Sequence, residues 1–273
     1  MNKKPLKRLL VGDFSLKRLM RSFLIIYVLV GLWAFFFTDR LIFLPRPSSY
    51  SDNGDFIELT SGGKGVKIAG VYLPNPEARY TILYSHGNAE DLGDILPRLR
   101  DLRDIGFAVF AYDYRGYGLS EGRPTVGGAY EDIRAAYDYL RQELKVPPER
   151  IVVYGRSVGS GPSVDLASRV PVAGLVVESG FISAFRVALP VPLYPFDKFP
   201  NIDKIAKVDA PVLIMHGDAD GTIPFSHGKQ LFAEAEEPKL SLWISGAGHN
   251  NFLEVARDRY VKKMQEFVEV IDN

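Results

Sequence analysis

The sequence predicts an α/β domain on a mostly parallel sheet, preceded by a single membrane-spanning helix. Three observations carry this. From Phe56 onward, apolar runs of strand length alternate with amphipathic stretches of helix length. Several of those runs end in glycine-bearing loops that hold Ser, Asp or His. Near the N-terminus, 17 consecutive uncharged residues follow a basic segment.

The N-terminal element comes first. The chain has 273 residues and equal counts of basic and acidic side chains, 33 each. That balance hides an uneven distribution. Residues 1–40 hold Lys3, Lys4, Lys7, Arg8, Lys17, Arg18, Arg21 and Arg40 against only Asp13 and Asp39, a net of +6. The remainder therefore carries −6. Between Arg21 and Asp39 runs SFLIIYVLVGLWAFFFT. As a helix it is about 25 Å long, and Leu41 to Leu44 extend its apolar length. Seven basic residues precede it, so the positive-inside rule puts the N-terminus in the cytoplasm and the rest across the membrane. A cleaved signal peptide fits poorly, because Leu32 stands where a small residue would be needed before Ala34. The expected organisation is a basic cytoplasmic segment (1–21), a signal-anchor helix in the bilayer (22–44) and a domain over 45–273. The domain lies on the periplasmic or other extracytoplasmic side.

The domain elements follow in order. FIEL (56–59) and VKIAGVYL (66–73) alternate with period two, as antiparallel strands do. TILYSHG (81–87) and FAVFAYD (107–113) are denser, as expected of strands buried on both faces. Between them, Leu92, Ile95, Leu96, Leu99 and Leu102 keep helical spacing. IVVYG (151–155), GLVVES (174–179), VLIMHG (212–217) and LSLWI (240–244) read as further strands. Helices are predicted over 128–144, 158–169, 226–236 and 250–270. Residues 179–209 hold five aromatic residues and four prolines, which predicts a short, irregular cap. Its apolar content suggests an acyl-chain pocket or a membrane-facing rim, against ordinary packing over the sheet edge.

The composition excludes several classes. A 47% hydrophobic and 24% charged chain is not disordered, and zero net charge argues against nucleic-acid binding. Without Cys there is no disulfide, thiolate nucleophile or Cys-ligated zinc. The four His show no metal-ligand spacing, so no metal or other cofactor is expected.

The sharpest chemical signal is Gly155-Arg156-Ser157-Val158-Gly159, between a strand and a helix-capable stretch. A serine in a tight turn needs glycine on both sides, where side chains would collide with backbone. Alone, the pentapeptide is equally a glycine turn with a capping serine. A serine nucleophile also needs a base, and the base an orienting carboxylate. His216-Gly217-Asp218-Ala219-Asp220 follows one strand and Gly246-Ala247-Gly248-His249-Asn250 the next. Such loops share the carboxyl edge of a parallel sheet, where sites form. The order Ser157, Asp220, His249 is that of the α/β-hydrolase fold.

On these residues the chain, from Phe43 onward, resembles the α/β-hydrolase superfamily. It looks closest to the small-capped, membrane-associated branch that includes protein depalmitoylases. His86-Gly87-Asn88, the loop Asp113-Tyr114-Arg115-Gly116-Tyr117-Gly118-Leu119-Ser120 and the stretch LIFLPRPSSY (41–50) match that branch. The resemblance implies Ser157 as nucleophile, Asp220 as acid and His249 as base. It also implies the backbone N–H groups of Asn88 and Val158 as the oxyanion hole. Asp218 and Glu178 remain alternative acids, and His86 and His216 alternative bases. His227 is expected on the surface. Asp113 and Arg115 are expected to pin the glycine loop, and Arg156 to form a salt bridge or meet an anionic substrate group. The expected function is a membrane-anchored serine hydrolase of carboxylesterase, lipase or thioesterase type, acting on ester or thioester bonds of lipid or acyl substrates. A peptidase or amidase on the same fold is the first rival, although no propeller or large cap is evident. A non-catalytic anchored binding module is the second.

Overall fold

The structure, a computed structural model, describes residues 15–52, 54, 56–189 and 191–273. Lys3, Lys4, Lys7, Arg8, Asp13 and Pro190 lie outside the described residues. The chain divides into two compact units, Met1–Leu41 and Ile42–Asn273.

In the first unit, α1 (Leu16–Phe37) is 22 residues long. At 1.5 Å per residue it measures about 33 Å, enough by length and composition to cross a bilayer. Within α1 only Gly31 is buried, so this is not a core helix. The four-residue α2 (Asp39–Ile42) follows. The second unit begins at Ile42 rather than past Leu44, because Phe43 is buried among Tyr114, Tyr117 and Phe199.

The second unit is an eight-stranded sheet flanked by helices. In chain order its elements are β1 (Ile57–Ser61), β2 (Val66–Leu73), β3 (Thr81–Ser85), α3 (Leu92–Asp104), β4 (Ala108–Tyr112) and α4 (Val126–Gln142). Then come β5 (Ile151–Arg156), α5 (Ser160–Ala167), β6 (Gly174–Glu178), α6 (Ala184–Ala188) and α7 (Ile202–Ile205). The last are β7 (Val212–Gly217), α8 (Phe225–Glu234), β8 (Lys239–Ile244) and α9 (Phe252–Ile271). The strand order is β1-β2-β4-β3-β5-β6-β7-β8. β2 pairs antiparallel with β1 and β4, and the remaining pairs are parallel.

Alternation along each central strand builds two cores. Leu83, Phe110, Tyr112 and Val153 face one, with Ile133, Tyr137 and Leu140 of α4 and Val164 of α5. Ile82, Tyr84, Val109, Val152 and Tyr154 face the other, with Leu99 of α3 and Tyr260, Met264 and Phe267 of α9. Both faces are covered, which is why these strands read as unbroken apolar runs. Two helix starts carry side-chain caps. Asp91 accepts from the N–H groups of Gly93 and Asp94 at α3, and Thr125 from Gly128 at α4.

Among its described residues, the region over 179–209 holds only α6 and the four-residue α7, with irregular chain between them. Ser183, Phe185 and Lys198 all donate to Asp197, which folds this stretch on itself. Its aromatic residues divide. Phe181 and Phe199 are core residues, whereas Phe185, Tyr194 and Phe196 form a half-buried ring cluster. Val191 and Leu193 are exposed.

Leu83 sits at the centre of the sheet with no exposed surface. Leu83→Ala should cost about 2–5 kcal/mol and lower the melting temperature of the domain by roughly 5–15 °C, read by thermal denaturation.

Candidate active site

Parallel pairing in register brings the ends of β3, β5, β7 and β8 to one edge of the sheet. Ser85 pairs with Gly155, Arg156 with Glu178, and Gly217 with Ile244. The loops that follow carry Asn88, Ser157, Asp220 and His249, residues up to 161 positions apart (88 to 249).

Ser157 starts a short 3-10 turn (157–159) that leads into α5. Its φ is +53°, a left-handed conformation that costs a non-glycine residue energy and marks a strained turn. Its carbonyl accepts a 2.7 Å hydrogen bond from the Ser160 hydroxyl. The flanking glycines are required by two different neighbours. A Cβ on Gly155 would stand 2.5 Å from the Gly159 carbonyl oxygen, inside the turn itself. A Cβ on Gly159 would stand 2.1 Å from the Ser85 carbonyl oxygen, on the adjacent strand exit. The turn that holds Ser157 is therefore pressed directly onto the loop that holds Asn88.

His249 bridges the serine and a carboxylate. Its Nδ1 lies 2.7 Å from Asp220 Oδ2 and its Nε2 2.9 Å from Ser157 Oγ. A neutral ring satisfies both contacts in one tautomer. Nδ1–H donates to the carboxylate, and Nε2 accepts from the serine hydroxyl. Asp220 Oδ1 accepts from the N–H groups of Thr222 and Ile223, both at 2.8 Å. Burial works against its charge, but hydrogen bonds from His216, His249 and the Ile223 N–H outweigh this. The carboxyl is held well below the usual range. The two loops meet backbone to backbone, since a Cβ on Gly217 would stand 2.1 Å from the Ala247 carbonyl oxygen.

The alternatives go elsewhere. Asp218 accepts from Ser245 Oγ and the Gly246 N–H on the far side of its loop. His216 is fully buried; its Nε2 donates to the Ile223 carbonyl at 3.0 Å and stands 3.3 Å from Asp220 Oδ2, so it supports the acid and has no bond to Ser157. His86 is also buried, donating through Nδ1 to the Gly87 carbonyl, with Nε2 3.3 Å from Asp113. His227 corrects the sequence reading. It is buried rather than on the surface, and its Nδ1 accepts from the Ile182 N–H at the base of the 179–209 region. The sequence signal was present, because His227 stands four residues before Leu231, on the face of α8 that turns inward with Gly228. Arg115 donates to buried Asp132 and to Glu131, and Asp113 accepts from the Leu92 N–H and Tyr50.

Beneath the edge lies an ionic network that sequence spacing does not reveal. Glu178, fully buried, takes two 2.8 Å hydrogen bonds from Arg98 and another from Tyr154. Arg156 Nε lies 3.4 Å from the same carboxylate. Burial alone would raise the Glu178 pKa, but Arg98 and Arg156 outweigh it and bring it below the usual value. Arg156 also donates to Glu90 at 2.8 Å, to Asn250 Oδ1 at 2.8 Å and to the His249 carbonyl at 3.2 Å. Glu90 in turn accepts from the Gly87 N–H at 2.6 Å. One guanidinium thus ties together the loops after β3, β5 and β8. Its partners are 66 and 94 residues away, so no local pattern marks them.

Glu178→Ala leaves two arginines facing a buried gap and should cost about 3–5 kcal/mol in denaturant unfolding. The lowered pKa also sets a pH dependence. Stability contributed by this carboxylate is present above about pH 4.5, its unfolded value, and is lost as pH falls through the lower folded value. Between pH 6 and pH 3, Glu178→Gln should therefore lose less stability than the parent protein.

Comparison with known proteins identifies the family. A family model described as Serine aminopeptidase, S33 matches residues 76–196. Alpha/beta hydrolase domain-containing protein 17B of Homo sapiens is 44% identical over 214 residues, covering 77% of this chain and 74% of that one. Alpha/beta hydrolase domain-containing protein 17C of Mus musculus is 44% identical over 196 residues, covering 71% of this chain and 61% of that one. Among solved structures, the esterase Pf2001 of Pyrococcus furiosus shares the fold at TM-score 0.67 and 22% identity, covering 84% of this chain and 98% of that one. Est1E of Butyrivibrio proteoclasticus, with ferulic acid bound, shares it at TM-score 0.64 and 21% identity, over 77% of this chain and 99% of that one. With such identity to the domain-containing protein 17 relatives over most of both chains, this protein belongs to the α/β-hydrolase superfamily and is a serine hydrolase.

Proposed function

We propose that the protein is a membrane-anchored hydrolase of ester or thioester bonds in lipid or acylated substrates, working through Ser157, His249 and Asp220. The single observation behind this reading is the relay from Ser157 Oγ through His249 to Asp220, at 2.9 Å and 2.7 Å. In it, Ser157 Oγ attacks the substrate carbonyl while its proton passes to His249 Nε2. Asp220 keeps the Nδ1 proton and stabilises the imidazolium. The oxyanion is bound by the N–H groups of Asn88 and Val158, each worth about 3 kcal/mol in the transition state. The close contact between Gly159 and the Ser85 exit supports that pairing of loops. His249 then protonates the leaving oxygen or sulfur, and an acyl-serine remains. Water, losing a proton to His249, attacks the acyl carbon, and the proton returns to Ser157 as the acid departs.

The substrate class rests on the anchor and the cap. The basic segment through Arg21 stays in the cytoplasm, the apolar helix spans the bilayer, and the hydrolase domain lies on the opposite side. Tethering holds acyl groups of the membrane at high effective concentration. The exposed Val191 and Leu193 give the 179–209 region an apolar edge suited to such groups. A peptidase reading has one observation in its favour, the serine aminopeptidase description of the matched family model. The small cap favours the ester reading.

Ser157→Ala should abolish fluorophosphonate labelling and lower kcat on p-nitrophenyl esters by about 10⁶-fold. Persistent labelling would remove Ser157 from the mechanism, and faster turnover of a peptide amide than of any ester would favour the peptidase. Topology is open to a clean test because the chain has no cysteine. A membrane-impermeant maleimide should label Ser51→Cys from the extracytoplasmic side and Asn2→Cys only after lysis. The opposite pattern overturns the orientation.

A further inference from the structure

The segment between the apolar helix and β1 reads as a linker, yet residues 42–50 are bound to the domain at several points. Phe43 is buried, with rings of Tyr114, Tyr117 and Phe199 about 6 Å from its own. The Asn88 carboxamide is enclosed by the same segment. Its Nδ2 donates to the Ile42 carbonyl at 2.6 Å, and its Oδ1 accepts from the Leu44 N–H at 2.9 Å. Tyr117 completes the clamp, donating to Asn88 Oδ1 at 2.6 Å and accepting from the Leu44 N–H at 2.9 Å. Further along, the Ser49 N–H donates to Asp91 at 2.7 Å, and Tyr50 donates to Asp113. Two glycines make room for this path. A Cβ on Gly93 would lie 2.3 Å from Ser49 Oγ, and one on Gly118 would lie 2.8 Å from the Tyr50 ring.

Apart from Phe199 of the 179–209 region, the loop residues gripped by Ile42–Tyr50 belong to the loops after β3 and β4. Asn88 is held at both ends of its carboxamide while the next residue, Ala89, is forced to φ +57°. A side chain fixed at both ends leaves its own peptide little freedom to rotate. We propose that Ile42–Tyr50 is a strap that positions the oxyanion loop, with Asn88 acting through its side chain to set where its own N–H points. This rests on the reading of Asn88 as an oxyanion donor. It makes the first residues after the membrane helix part of the catalytic machinery rather than a spacer. Asn88 and Phe43 are then positioning residues, and their effect falls on the transition state rather than on substrate binding.

The test uses the full-length protein in detergent micelles. Asn88→Ala keeps the backbone N–H but removes the clamp. It should lower kcat on a p-nitrophenyl ester by about 10–100-fold with KM within about threefold, as partial loss of an oxyanion donor does. The Ki of a trifluoromethyl ketone, which forms an oxyanion on the serine, should rise by the same factor as kcat falls. Tyr117→Phe keeps the ring and should move both quantities the same way by less. Phe43→Ala, on the strap itself, should reproduce the Asn88→Ala pattern. A purely structural role would lower the melting temperature and leave kcat per active site, titrated with fluorophosphonate, unchanged. That result, or unchanged kcat and Ki in both Asn88→Ala and Tyr117→Phe, overturns the strap. Ser157→Ala in the same preparation separates the two readings. If it stays active, the catalytic assignment fails. If it is dead while Asn88→Ala matches the parent, only the strap fails.

Discussion

A carbonyl pressed against a glycine organises this molecule. The Ser85 oxygen at the end of β3 approaches Gly159 so closely that no side chain fits between them. That contact locks the strained turn of Ser157 to the loop of His86, Gly87 and Asn88. It exists because β3 and β5 are parallel and paired in register, so both chains leave the sheet at the same height. A second contact of the same kind, Gly217 against the Ala247 carbonyl, joins the Asp220 and His249 loops. Two glycines thus bring four loops into one site without any side chain between them.

Charge supports this backbone frame from below. Burying Glu178 and Arg156 is costly, and the cost is offset only because each charge meets several partners. Glu178 satisfies Arg98, Arg156 and Tyr154 together. Arg156 spends its remaining donors on Glu90, Asn250 and the His249 carbonyl. The result is a floor in which the loop of His249 and the loop after β3 are bonded to one guanidinium. The same logic explains Asp220, whose lowered pKa keeps it ionised and able to orient His249.

Much of the fold was legible in the sequence for a simple reason. Strands buried on both faces must be apolar throughout, and VLIMHG coincides with β7 to the residue; VKIAGVYL, legible instead from its period-two alternation, coincides with β2. Helix boundaries were read less closely. The predicted helix over 128–144 runs from Val126 to Gln142, starting where Thr125 caps it. The loop glycines were legible as well, because a turn after a buried strand tolerates little else. What could not be read was which distant charges meet. Helical spacing sets Arg98 beside the buried face of α3, three residues after Ile95 and four before Leu102, but nothing local shows that it reaches Glu178, 80 residues away. His227 shows a related limit: its spacing from Leu231 puts it on the inward face of α8, but the Ile182 N–H that it bonds is 45 residues away.

The chain alone therefore specified an α/β-hydrolase domain behind an apolar helix, and a short list of residues able to do serine chemistry. Those properties depend on periodicity and on glycine placement, which are local. Folding selected from that list, by bringing His249 between Ser157 and Asp220 and turning Asp218 away. It also turned residues 42–50 from an apparent linker into a bound strap. Such choices depend on contacts between residues dozens of positions apart, which exist only once the sheet has set their spacing.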